Sequence, residues 1–183
     1  MDELIDIVNS KGVPTGDSCM KSTAHQKGIL HASVHIWFYT SQQEILIQKR
    51  SRQKNIYPNL WDVSVAGHIA SGETAILSAT REIKEEIGLN ISKIDLQYQN
   101  IWEEKHHHQN GLIDHEIHHV FLAKLTTKLT SLIPQEEEVS DLRLMSLKEF
   151  EQKYNDPLFF VPHDVKYYQY ILSLLKKVTQ HEK

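Results

Sequence analysis

The sequence predicts an α/β or α+β sandwich around one hydrophobic core, and three observations predict it. Short runs of β-branched and aromatic residues interleave with stretches of helical spacing. Residues 74–87 place Ile76, Thr80, Ile83 and Ile87 on one mostly apolar stripe, the mark of a helix lying on a core. The chain has 183 residues, 40% hydrophobic and 24% charged, which suits a single globular domain.

The elements follow in order. Leu4–Val8 reads as a short strand and Asn9–Gly12 as a hairpin turn. Residues 14–28 are polar and turn-rich and read as an irregular connection. Ile29–Tyr39 and Glu44–Lys49 read as strands, and Tyr57-Pro58-Asn59 breaks the chain. Asp62–Ile69 reads as one strand leading into a glycine turn. A helix over 74–87 follows, entered through Ser71-Gly72-Glu73 and stopped at Gly88. Ile94–Glu103 and Glu116–Leu125 read as strands on either side of a His-rich loop. Gln135–Glu138 reads as a solvated acidic loop, and Leu142–Met145 as a last strand. Ser146 caps a short helix ending near Tyr154, and residues 165–178 form a final helix. The organisation expected is one domain over residues 1–183: an N-terminal hairpin over about 1–28, a core over about 29–146 and C-terminal helices over about 147–183.

Composition narrows the function classes. A net charge of −4 offers no electrostatic basis for nucleic-acid binding. The apolar runs are too short to span a bilayer, and the acidic start MDELIDIVNS is unlike a signal peptide. The one cysteine, Cys19, excludes an internal disulfide and suits a reducing, cytoplasmic setting. Nothing beside it in sequence would serve as its base. The partners expected are therefore small molecules, with no nucleic acid and no membrane.

The chemistry concentrates in Gly67–Leu89, GHIASGETAILSATREIKEEIGL. Glu82, Glu85 and Glu86 fall at i, i+3 and i+4, on one helical face. Like charges at that spacing destabilise a helix unless something neutralises them. Hard divalent cations bind carboxylate oxygens, and Mg2+ characteristically joins a few carboxylates to substrate phosphates. A solvated acidic surface helix is the plain alternative, and three glutamates alone would mean no more than that.

The same segment fits, at every fixed position, the Nudix box G-x5-E-x7-R-E-U-x-E-E-x-G-U, with U apolar. On these residues the chain resembles the Nudix hydrolases, which cleave diphosphate linkages with divalent metal. The resemblance implies the Nudix α/β/α sandwich on a mixed β-sheet, a small-molecule diphosphate substrate, Mg2+ or alternatively Mn2+, and a fold that often forms homodimers. It implies Glu82 and Glu86 as metal ligands with Glu85 beside them, and one glutamate as the base that activates water. It adds the backbone carbonyl of Ala66 as a ligand. Arg81 and Glu73 would orient the loop and the catalytic glutamate. Glu116 is the candidate for a remote carboxylate completing the site, with an outward-facing strand residue as the competing reading. Arg50 and Lys54 are candidates for diphosphate binding, since cationic donors match phosphate oxygens, against a solvated surface pair.

Outside the box, Leu30-His31-Ala32-Ser33, Gln48-Lys49-Arg50, Lys54, Pro58, Trp61 and Gly67-His68 resemble the branch that includes type 1 isopentenyl-diphosphate isomerase. In those isomerases histidines and glutamates hold a metal and a cysteine does acid–base work. His31, His68, Glu86 and Asp114-His115-Glu116 match that pattern. The isomerase cysteine belongs in Ser64–His68, where the match is taken as Val65, a residue that moves no proton. Isomerases also lack an intact box. The expected activity is therefore diphosphate hydrolysis, with isomerisation and non-catalytic diphosphate binding as competitors.

The chain has 12 histidines. His31 and His68 are either a second metal site or structural residues with ordinary hydrogen-bond partners. His106-His107-His108 reads as a solvent loop, His35 as a packed strand residue, and of His118-His119 at most one faces inward.

Overall fold

The computed structural model describes residues 2–180. Its elements, in chain order, begin with β1 (Leu4–Val8), β2 (Pro14–Met20) and α1 (Lys21–Lys27). Next come β3 (His31–Tyr39), β4 (Glu44–Arg50), β5 (Trp61–Asp62), β6 (Val65–His68) and α2 (Ala75–Ile87). The chain continues with β7 (Gln97–His107), β8 (Ile113–Lys124), β9 (Val139–Ser146), α3 (Leu147–Lys153) and α4 (Val165–Gln180).

β3 organises the sheet. All of its residues are buried, and period-two alternation sends them to two different layers. Val34, Ile36 and Phe38 pack with Ala79, Ile83 and Ile87 of α2. Trp37 and Tyr39 pack with Phe150 of α3 and with Tyr167, Tyr168 and Ile171 of α4. Helices thus cover both faces of a mixed sheet, which is the α/β/α sandwich expected.

Along one edge β3 pairs in parallel with β8, from His31↔Glu116 to Tyr39↔Lys124. Its other edge pairs in succession with β1 at His31, with β6 over 33–36, and with β4 at Tyr39↔Ile45. β3 and β4 therefore separate, and β6 occupies the gap. That gap lets residues of the helix on one face reach the cleft on the other.

Three expectations are corrected. Residues 14–28 are not irregular but form β2 and α1. β2 is almost wholly exposed, so its order comes from the ladder with β1 and not from a hydrophobic pattern. The stretch 62–69 is two short strands, β5 on β4 and β6 on β3. Ser64 sits at the switch: its hydroxyl accepts from Phe38 N (2.9 Å) and donates to Leu46 O (2.5 Å), satisfying both separating strands. Finally β7 runs on to His107, so His106 and His107 are strand residues and only His108 begins the turn. The helix at 74–87, the Ser146 cap and the last helix lie where the sequence puts them. Ser146 Oγ accepts from Glu149 N (3.1 Å).

Candidate active site and metal centres

Toward its start, the β3 face changes from Trp37 and Tyr39 to His35, which bonds Tyr167 of α4, and then to Ser33 and His31. A cleft of about 980 Å³ opens there. It is lined by the box glutamates Glu82, Glu85 and Glu86 together with Glu104, Glu116 and His163.

The box delivers its carboxylates through Gly67. A β-carbon at that position would lie 2.0 Å from Glu82 Cδ and 2.3 Å from Oε1, so only glycine lets Glu82 cross β6. Glu82 and Glu86 are buried and Glu85 stays half exposed. Glu86 Oε2 accepts from Ala66 N (3.2 Å) and from Gln48 Nε2 (3.1 Å). Burial, and then the neighbouring charge of Glu82, push the Glu86 carboxyl up to about 8. Glu82 is raised chiefly by burial, against the pull of Arg81. Two buried carboxylates that resist joint ionisation, with oxygen donors only, suit a hard divalent cation such as Mg2+. The donor set therefore fits the metal that the box implies.

Arg81 bridges the box glutamates and the loop before the helix. It donates to Glu82 Oε1 (2.6 Å), Glu85 Oε2 (3.1 Å), Glu73 Oε2 (3.1 Å) and the carbonyl of His68 (3.0 Å). It ties the entry loop to the glutamate face. Gly88 stops the helix in left-handed backbone, with φ +68°.

Glu116 does not face outward. It sits in the cleft with His68 Nε2 at 3.5 Å, His118 Nδ1 at 3.5 Å and His31 Nε2 at 3.7 Å. With His25, His31 and His68 it forms a group whose ligand atoms lie within 4.8 Å of one another. His68 Nε2 is buried with no hydrogen-bond partner, the mark of a ligand position. Burial outweighs the pull of Glu116 and lowers His68 to about 3, so it stays neutral. Asp114 Oδ1, 3.8 Å from His25 Nε2, is also buried and unpartnered. His25 escaped the sequence reading because α1 did. The helical stretch 21–27 is what carries His25 to the end of β3.

Arg50 and Lys54 line the cleft but are engaged. Arg50 donates to Asp62 Oδ2 (3.0 Å) and through Nε and Nη2 to Ile56 O (3.2 and 3.0 Å). Lys54 pairs with Glu138. Burial, and then Arg50, lower Lys54 to about 8. Arg50 is thus first a brace for the 51–60 loop. Val65 is fully buried in the core with Ile83, whereas Ala66 lines the cleft. The cleft residue of the segment that would hold an isomerase cysteine is therefore Ala66, one position beyond the match assumed. It also carries no ionisable group. Cys19 lies on β2 opposite Ile5 and does not line the cleft.

The sequence reading missed a second polar network. Glu104 and His106 alternate onto the cleft face of β7, with His118 facing them from β8. Their partner His163 precedes α4, far along the chain, and no local pattern joins the two.

A NUDIX domain profile matches residues 29–167. Nudix hydrolase 3 of Arabidopsis thaliana is 33% identical over 170 residues, 90% of this chain, and the match spans only 22% of that longer protein. The isopentenyl-diphosphate Delta-isomerase of Pectobacterium atrosepticum is 32% identical over 152 residues, covering 80% of this chain and 78% of that one. A crystal structure of a protein from Deinococcus radiodurans superposes with a TM-score of 0.68 at 18% identity, over 96% of this chain and 98% of that chain, a likeness of fold. Box, sandwich and profile coincide on the same residues, and the chain belongs to the Nudix hydrolase family.

Proposed function

We propose that the chain is a Mg2+-dependent hydrolase of an organic diphosphate, X–O–P–O–P, acting by attack of water on phosphorus. The observation that carries this is the buried pair Glu82 and Glu86, brought through Gly67 to the cleft beside half-exposed Glu85. In this reading Glu82, Glu85, Glu86 and the Ala66 carbonyl hold the cation. When bound, it neutralises the diphosphate charge and lowers the cost of the leaving group. Gln48 and the Ala66 N–H fix Glu86. Arg81 holds Glu82 and Glu85 in place. Glu85, the most exposed of the three, and the remote Glu116 are the candidates for taking a proton from water. Arg50, paired with Asp62, and Lys54, paired with Glu138, line the path proposed for the phosphates.

Isomerisation of isopentenyl diphosphate is the second reading. The gathering of His25, His31, His68 and Glu116 favours it. Ala66 opposes it, as does a polar wall of buried Asp62 and Glu104 beside half-buried His163, a poor seat for a hydrocarbon. One experiment separates the readings. A panel of diphosphates, isopentenyl diphosphate included, is incubated with Mg2+ in heavy water, and phosphate release and deuterium incorporation are both followed. We expect release from at least one polar diphosphate, no allylic deuterium, and loss of release in Glu86→Gln with the fold retained. Deuterium in an allylic product, or near-normal release by Glu86→Gln at saturating Mg2+, would overturn the proposal.

A further inference from the structure

We propose that Glu104, His106 and His163 form a separate site for a borderline divalent cation, Zn2+ foremost, in the wall of the same cleft. The geometry carries it. Glu104 Oε2 lies 2.6 Å from His163 Nδ1 and 3.4 Å from His106 Nε2. All three ligand atoms fall within 4.8 Å of one another. Tetrahedral zinc with Zn–N and Zn–O distances of about 2.0–2.1 Å needs ligand separations of roughly 3.3 Å, which falls between the 2.6 and 3.4 Å of the two Glu104 contacts. His118 Nε2, 3.2 Å from the same carboxylate oxygen, flanks the group.

The ligands are held from behind as metal ligands are. The far nitrogen of His163, Nε2, meets Asp62 Oδ1 at 3.2 Å, the carboxylate–histidine arrangement that fixes tautomer and ring orientation. Asp62 is in turn held by Arg50 (3.0 Å) and by the backbone N of Val63 (2.8 Å). The second oxygen of Glu104 accepts from Asp164 N (2.6 Å). Two imidazoles and one carboxylate leave a coordination position open, and all three residues line the cleft, where an oxygen of the substrate or water would fill it. The donor set also separates this site from the box. Imidazole suits zinc and its transition-metal neighbours, whereas the all-oxygen box suits Mg2+. The inference stands whether or not the chain hydrolyses diphosphates.

The test measures metal, not turnover. Wild type, His106→Ala, His31→Ala and the double variant are dialysed against Zn2+ with Mg2+ in excess, and bound zinc is counted. His106→Ala is expected to hold one zinc fewer than wild type, and the double variant one fewer than His31→Ala. Co2+ loaded in place of Zn2+ should lose the corresponding visible absorption. Asp62→Asn, which keeps every ligand, should weaken this zinc by about 10–100-fold. If His106→Ala does not fold, His106→Gln takes its place. Equal zinc content and equal Co2+ spectra with and without the His106 imidazole overturn the proposal, as does zinc that is lost only with His31.

Discussion

Single residues decide whether the carboxylates of α2 reach the cleft. Gly67 is the narrowest point, because any β-carbon there overlaps Glu82. Gly67→Ala is expected to cost about 1–3 kcal/mol through local overpacking. It should cost turnover at least about 100-fold, because a displacement of about 1 Å in a catalytic group suffices for that. Urea unfolding alongside kcat checks both, and an unchanged kcat would remove Glu82 from the machinery. Glu116 is the second residue whose fate is set by place. Among His31, His68 and His118 it stays ionised: burial would raise its pKa, but the contact with His68 holds it well below the usual carboxylate range. Glu116→Gln should slow hydrolysis by about 10²–10⁴-fold with KM little changed. A rate equal to wild type would leave it a role in the histidine cluster alone.

At the scale of elements, the parting of β3 from β4 creates the site. Ser64 stands at the branch and serves both strands with one hydroxyl. Ser64→Ala would leave Phe38 N and Leu46 O unpaired in the core, a loss of about 1–3 kcal/mol that thermal unfolding should read directly. A smaller cost would mean that the strands re-pair, closing the gap that β6 fills. The elements also show how far a one-dimensional reading reaches. β3, α2 and α4 were legible because each carries its own period: a fully buried β-branched and aromatic run, or apolar residues at helical spacing. β2 and α1 were not, because they are polar and take their order from β1 and β8. The break at Val63–Ser64 was also hidden, since two strands in one continuous run look like one until their partners are known.

Over the whole molecule, metal and stability should be linked. The Glu86 carboxyl is raised to about 8 in the fold from an ordinary 4.5, by burial and then by Glu82. A raised carboxyl favours its protonated form, so its contribution is greatest below about 4.5 and is lost as pH rises through about 8. A divalent cation held by the box glutamates would bind the ionised form and reverse that loss. Groups such as Asp62, held low by His163 and Arg50 despite burial, act in the opposite sense, so the comparison to make is wild type against Glu86→Gln. Without metal, Glu86→Gln should gain stability over wild type between pH 5 and 8.5, and the gain should vanish with Mg2+. A difference independent of pH would show that Glu86 is already paired without a cation. Among the described residues no helix is long and apolar enough to cross a membrane, in line with the short apolar runs of the sequence.

Residues 67–89 alone were enough to name the family, the sandwich and the carboxylate face. Helical spacing and a glycine turn are local constraints, and local constraints survive in one dimension. The partners of those carboxylates were decided elsewhere. Glu116 reading as a cleft residue, His25 joining His31 and His68, and Arg50 spent on Asp62 and Ile56 all depend on which strands lie side by side. Glu104 and His163 meet only because α4 docks its N-terminal end against β7, bringing together side chains 59 positions apart. Spacing along a chain carries no record of such a meeting. Burial and strand register create it, and the chemistry of the cleft wall follows from it.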